Sequence, residues 1–244
     1  MNTFDLLETK RHHVKTYKDQ IPPKELIKDA LWKAWKTTPS KNNFMAYQID
    51  IYGPNMQKEK DKLWELAVKN HINAEEQAVE KGLADKTQEG EPNPFYEHIK
   101  YNPYLICFHG RVCKKANPFY QRQIDTGHFA DQMYEEYVSH IHGSTCVEVG
   151  IFAANLTMYL LENKLDMSYN SCFIRDKKVW QDKGLFWVKQ DPILMISVGY
   201  AKRFENDRGE VIAYAKRYRK QELEKWGVLD DDYKPEMNEV IRWL

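Results

Sequence analysis

Five consecutive residues, Arg11-His12-His13-Val14-Lys15, place four potential cations around one apolar anchor. The fork of an arginine guanidinium matches the oxygens of a phosphate, so this segment has the chemistry to hold one. On its own the cluster is a weak signal, because a solvated turn ahead of a helix has the same composition. A second basic run, Lys216-Arg217-Tyr218-Arg219-Lys220, stands near the other end of the chain. His140-x-His142, with His128 upstream, invites a metal. Histidines at i and i+2 diverge on a helix, however, and no carboxylate has a fitting spacing, so no metal site is expected. Cys107, Cys113, Cys146 and Cys172 lie far apart without CxxC spacing and read as free thiols that pack. The chain carries no G-x-G-x-x-G or Walker segment to cradle a nucleotide.

These side chains need elements to hold them. Pro22-Pro23 opens a helix whose apolar positions Leu26, Ile27, Ala30, Leu31, Ala34 and Trp35 form a core-facing stripe, ending at Thr37-Thr38-Pro39-Ser40. A short alternating strand follows, with Tyr47, Ile49 and Ile51 on one face and Gln48, Asp50 and Tyr52 on the other. The pattern from Asn55 to about Lys81 is helical and charged. Residues 82–102 are turn-rich and polar, as expected of a surface excursion or lid. Phe95, Tyr96, Tyr101 and Tyr104, in and beside it, have the faces to stack on a flat substrate, but such residues more often serve core or lid packing. Tyr104–Phe108 reads as a strand covered on both faces. Residues 126–141 look helical, and Gly150–Leu161 is apolar almost all round, predicting a central helix. Met167–Phe173 reads as a short strand, Asp176–Asp182 as a helical stretch, and Ile193–Tyr200 as the strongest strand. Helices and strands mix without a regular βαβ rhythm, which predicts an α+β fold.

With 244 residues the chain suits one domain, 1–244, in which 229–244 reads as a C-terminal extension. Charges balance, with 36 Lys+Arg against 36 Asp+Glu, so no global field recruits nucleic acid or a membrane and any functional charge is local. The start has no apolar secretory core, and no run of about 18 apolar residues occurs to span a bilayer. A cytoplasmic location is therefore expected, which also suits unpaired thiols.

Taken in order, the chain reads ETKRHHVKTY, a helix, TPSKNNFMAYQIDIY, VEVGIFAANLTMYLLENKLDMSYNSCF, PILMISVGY and KRYRK. This order and spacing resemble the nitroreductase family of FMN-dependent oxidoreductases. Its members carry R-[RH]-S-x-[RK], then P-S-x-x-N-x-Q-P-W after one helix, a [DE]-x-G-x-x-x-x-N-L helix, and an apolar strand ending in V-G-Y. The resemblance runs from Glu8 to about Lys220. Each motif is degenerate, but four in the correct order are far more specific than one.

The resemblance implies a central, mostly antiparallel sheet flanked by helices, in an intertwined homodimer with FMN at the interface. Arg11 and His12 match positions that meet the FMN phosphate and ribityl chain, with His13 at the usual Ser position beside them. Lys15 matches the basic position near N1 and O2 of the ring. Pro39, Ser40 and Asn43 match the stretch that reaches the flavin of the other subunit. Ser171 and Cys172 match the place where backbone N–H groups approach N5 and O4. Arg217 and Arg219 match a late basic pair at the phosphate; they stand farther beyond Gly199-Tyr200 than is usual, and Arg208 competes for the role. Met45, Ala46 and Tyr47 stand where Gln, Pro and Trp are common, and Lys164-Leu165-Asp166-Met167 lacks the usual Gly-Leu-Gly.

The activity implied is a two-step exchange: NAD(P)H as a passing substrate reduces the flavin, and an electron-poor acceptor (nitroaromatic, quinone or enone) reoxidises it. Reductive dehalogenation or flavin fragmentation on the same fold, or a flavin-binding redox module without turnover, are the alternatives.

Overall fold

The longest uninterrupted apolar strand lies in the middle of a four-stranded sheet, and the other elements follow from what covers it. The computed structural model describes residues 17–67, 97–111, 117–128, 143–205 and 211–213, together with Leu7, Val14, Val240 and Ile241. The described elements are α1 (Lys24–Thr37), β1 (Tyr47–Tyr52), α2 (helical over 57–67), α3 (Glu97–Lys100), β2 (Tyr104–Gly110), α4 (Pro118–Asp125), α5 (Gly143–Glu162), β3 (Asp166–Asn170), α6 (Lys177–Asp182) and β4 (Pro192–Gly199). A hairpin, β5 (Arg203–Glu205) with β6 (Val211–Ala213), comes after them.

The sheet order is β1-β2-β4-β3 with every pairing antiparallel. Pro192, which cannot donate to a ladder, opens β4, where its missing N–H does least harm. Period-two alternation splits the two central strands between two cores. Ile106, Phe108, Ile196 and Val198 face α1 and α5, meeting Ile27, Ala30, Ala34, Phe152, Leu156 and Leu160. Leu105, Cys107 and Met195 face the other way, onto Leu63 and Leu66 of α2, Ile99, Trp180 and Leu185. Burial on both faces explains why β2 and β4 read as continuous apolar runs.

Several expectations need correction. Trp35 is not on the buried stripe of α1: it is 53% exposed, as is Trp32 at 52%. A helix that the apolar pattern did not mark, Pro118–Asp125, is capped by Asn117 through Tyr120 N–H (2.9 Å) and ended at Gly127 (φ 71°); of the helix expected at 126–141 only residues 126–128 are described, as the turn after it. Residues 129–142 lie outside the described residues, as do 68–96. The final part of the supposed excursion is packed: Ile99 and Asn102 are buried, and the buried Lys60 ammonium donates to the Asn102 carbonyl at 2.6 Å.

Helix α5 is central on one side only. Its 20 residues are long and apolar enough to cross a bilayer. Yet Val149, Phe152, Leu156 and Leu160 are buried in the core, whereas Cys146, Val147, Gly150 and Ala154 are exposed. The helix ends with Lys164 in the left-handed conformation (φ 62°), Lys164 N–H bonding Leu161 O and Leu165 N–H bonding Leu160 O, both at 2.9 Å. That pattern is a Schellman stop, where glycine is the unstrained residue.

Candidate functional site

The segment between α1 and β1 is the best-described part of the predicted site, and its shape comes from two unusual backbone positions. After the cap at Thr38, residues Lys41–Asn43 make one 3-10 turn. Asn43 (φ 53°) and Met45 (φ 47°) both adopt the left-handed conformation. Asparagine tolerates that region; methionine does so at a cost of about 1–2 kcal/mol. Something must hold the loop there. Ser40 Oγ accepts the Met45 N–H at 2.8 Å, closing the loop on itself. Arg111, just after β2, takes three successive carbonyls: its backbone N–H donates to Ala46 O (3.0 Å), Nε to Met45 O (2.9 Å) and Nη2 to Phe44 O (2.5 Å). Its guanidinium also lies 5.6 Å from the centre of the Phe44 ring, which meets Tyr120 of α4 edge-on at 5.5 Å.

Helix α5 holds the same loop from another side. Glu148 Oε1 accepts the Lys41 N–H at 2.9 Å, and Asn155 Nδ2 reaches Thr37 Oγ1 and Thr38 Oγ1, each at 3.3 Å. Glu148 and Asn155 are seven residues apart, two helical turns, and so share a face. The TPSKNN stretch and the E-x-G-x-x-x-x-N-L helix, separate in sequence, are therefore one structural unit. Pro39, Lys41 and Asn43 are exposed on it and Ser40 is half-buried.

The opposite side of α5 sets the end of β3. Tyr169 OH donates to Ala153 O (3.0 Å) and contacts Thr157 Oγ1, which itself donates to Ala153 O (2.8 Å). At the following turn, Asn170 Oδ1 accepts the Cys172 N–H at 2.7 Å. Ser171 and Cys172 are exposed, but the Cys172 backbone donor is already engaged by a side chain.

Arg11, His12, His13 and Lys15 lie outside the described residues, but the anchors around them are described. Val14 is 2% exposed and packs with Tyr17 and Ala201. Tyr17 bridges to Ala201, and its hydroxyl donates to Ser197 O at 2.9 Å. Burial raises the Tyr17 pKa well above the usual phenol range. Gly199 permits this contact, since a Cβ there would sit 2.7 Å from Tyr17 Cδ1 and 2.8 Å from Pro103 Cδ. Arg208, Arg217 and Arg219 also lie outside the described residues. The added length before Arg217 and Arg219 includes the β5–β6 hairpin.

His128 is exposed beside Thr126, and among the described residues no group of His, Cys, Asp and Glu could hold a metal. His140 and His142 lie outside the described residues. Tyr104 is a buried core residue. Cys107 is buried, which raises its thiol pKa and makes it a poor nucleophile.

A family model described as the nitroreductase family matches residues 9–200. The chain belongs to the nitroreductase family. Solved structures share its fold. A protein of Staphylococcus epidermidis, ascribed NAD(P)H:FMN oxidoreductase activity, is 14% identical with a TM-score of 0.60, covering 100% of this chain and 96% of its own. An ascribed nitroreductase of Exiguobacterium sibiricum, solved in complex with FMN, is 12% identical with a TM-score of 0.58, covering 100% and 98%. A variant of an FMN- and NADPH-dependent nitroreductase from Sphingopyxis sp. strain HMH is 14% identical with a TM-score of 0.57, covering 100% and 99%. No curated protein matches. Membership in this nitroreductase family gives the general class, a flavin-linked oxidoreductase.

The described residues fit such a cofactor by their chemistry. The loop carries Pro39, a hydroxyl at Ser40, a cation at Lys41 and an amide at Asn43, and Val14 and Tyr17, on either side of residues 15–16, are buried beside Ala201. Glu148, Asn155 and Arg111 are site-building residues that the carry-over of binding positions missed. The first two were visible as fixed letters of a motif; Arg111 had no sequence signal.

Proposed function

We propose that this nitroreductase-family protein is an FMN-dependent oxidoreductase that works as a homodimer, taking electrons from NAD(P)H and passing them to an electron-poor acceptor such as a nitroaromatic, quinone or enone. The observation that carries this reading is the joining of two family motifs on one loop, with Asn155 and Glu148 of α5 holding the TPSKNN segment at Thr38 and at Lys41. Bound FMN would supply the hydride-accepting atom, N5, and so link donor and acceptor.

The chain's own residues then have distinct tasks. Arg11, His12 and His13 hold the phosphate end, assisted by Arg217 and Arg219 or by Arg208. The Lys15 ammonium offsets the negative charge that two-electron reduction leaves on the ring edge. Pro39, Ser40 and Asn43 reach the cofactor of the partner subunit. Ser171 and Cys172 act through the backbone at the ring, with the Cys172 N–H shared with or surrendered by Asn170.

The dimer reading draws on the exposed face of α5. Gly150 costs a helix interior about 0.5–1 kcal/mol relative to alanine, and a Cβ there would meet nothing within 4 Å among the described residues. A glycine at this place, beside exposed Val147 and Ala154, suits close approach by a second copy. The free Cys107, Cys146 and Cys172 agree with a reducing, cytoplasmic setting.

The purified protein should be yellow, or become so with added FMN, and its flavin absorbance should bleach under anaerobic NAD(P)H. A colourless protein that takes up no FMN would sink the reading.

A further inference from the structure

We infer that Arg111 is the positioning residue of the flavin-reaching loop: it does not bind the cofactor itself but holds residues 40–46 in the shape that presents Ser40 and Asn43. This inference rests on the FMN reading above.

Met45 is the weak point of the loop, a methionine held at φ 47°. Its two neighbouring carbonyls and its own all point toward one residue. The Arg111 backbone N–H meets Ala46 O, Nε meets Met45 O, and Nη2 meets Phe44 O, at 3.0, 2.9 and 2.5 Å. Three aligned carbonyls present partial negative charge, and a planar guanidinium satisfies adjacent acceptors in a fixed geometry that an ammonium does not. The Phe44 ring, carried by the same peptides, lies between the guanidinium and Tyr120 of α4. The far end of the loop is fixed separately, by the Glu148 carboxylate on the Lys41 N–H. Between these two holds lie Lys41, Asn42 and Asn43, and Ser40 adjoins them, its hydroxyl already tied to Met45 N–H. Loss of the Arg111 hold frees Met45 to leave the left-handed region, which breaks the Ser40–Met45 bond and moves Ser40 and Asn43 together. The Arg111 guanidinium is fastened to two backbone carbonyls of this loop.

The test measures FMN dissociation constants by quenching of flavin fluorescence, with thermal unfolding of each apoprotein alongside. Arg111→Gln should weaken FMN binding by about tenfold or more, the scale of losing charge-assisted hydrogen bonds. Adding Met45→Gly should restore much of that loss, because glycine adopts the left-handed conformation without strain. Restoration is the decisive outcome, since a residue that touched the phosphate would not be replaced by a glycine at position 45. Unchanged FMN affinity in Arg111→Gln, or a loss that Met45→Gly leaves untouched, would overturn the assignment while the FMN reading stands. A wild-type protein that binds no FMN removes both. Where Arg111→Gln does not fold, Glu148→Ala probes the other hold: FMN affinity should fall and return in Glu148→Gln, which keeps an acceptor for Lys41 N–H. Equal affinity in all three Glu148 forms would count against a positioned loop.

Discussion

Arg11 and Lys15, four residues apart, carry different expectations. Arg11→Ala should raise the FMN dissociation constant with little change in the rate of reduction once the flavin is bound. Lys15→Ala should slow reduction as well, because the charge offsetting the reduced ring is gone. Stopped-flow bleaching at saturating FMN separates the two, and equal reduction rates would remove Lys15 from the chemistry. Lys60 offers a test unrelated to the cofactor. Burial lowers its pKa below the ordinary 10.5, so the folded state disfavours the charged form that the unfolded chain prefers. The cost is fully present below the folded pKa and fades as pH rises toward 10.5. The stability of the wild type relative to Lys60→Met should therefore increase as pH rises through the lowered pKa toward 10.5, read by urea unfolding at each pH. A difference that stays flat or shrinks would contradict the lowered pKa.

The ends of two elements store visible strain or crowding. Lys164 occupies the left-handed stop of α5, where glycine is the unstrained residue. Lys164→Gly should stabilise the protein by about 1 kcal/mol, seen as a higher urea midpoint at unchanged slope. The opposite sign applies at Gly199. A methyl group there would overlap Tyr17 and Pro103, so Gly199→Ala should cost about 1–3 kcal/mol. Because the displaced Tyr17 anchors the chain beside Val14, that variant should also bind FMN more weakly than its stability loss alone explains. Titration under fully native conditions distinguishes the two effects.

At the scale of the assembly, the exposed face of α5 is decisive. Gly150→Leu meets open space among the described residues and improves helix propensity, so the isolated chain should fold at least as well as the wild type. In a dimer packed through this face, the added side chain would hold the two helices apart. Light scattering should then report a monomer with native circular dichroism and little FMN uptake. A dimer with normal FMN content would show that α5 pairs elsewhere or not at all.

Period and composition made most elements readable from the chain: α1, β1, β2, β3, α6 and β4 fall close to where apolar spacing and turn residues predict them, since each pattern is local. Helix α4 shows the limit. It starts at Pro118, which no apolar period marked, because a cap at Asn117 and the Phe44 contact of Tyr120 select its start. Trp35 shows another, for apolar spacing says which residues can form a stripe and not which edge of it the core covers. Order of motifs determined the family, and the family supplied Ser40, Asn43 and Ser171 as positions. What motif order could not supply was the hold on those positions. Arg111 lies more than sixty residues from the carbonyls it grips, beyond any local pattern, and reaches them only because β1 and β2 pair antiparallel with Tyr47 opposite Gly110. A hydrogen bond across such a separation exists only once the sheet has closed, so the tertiary structure alone decided it.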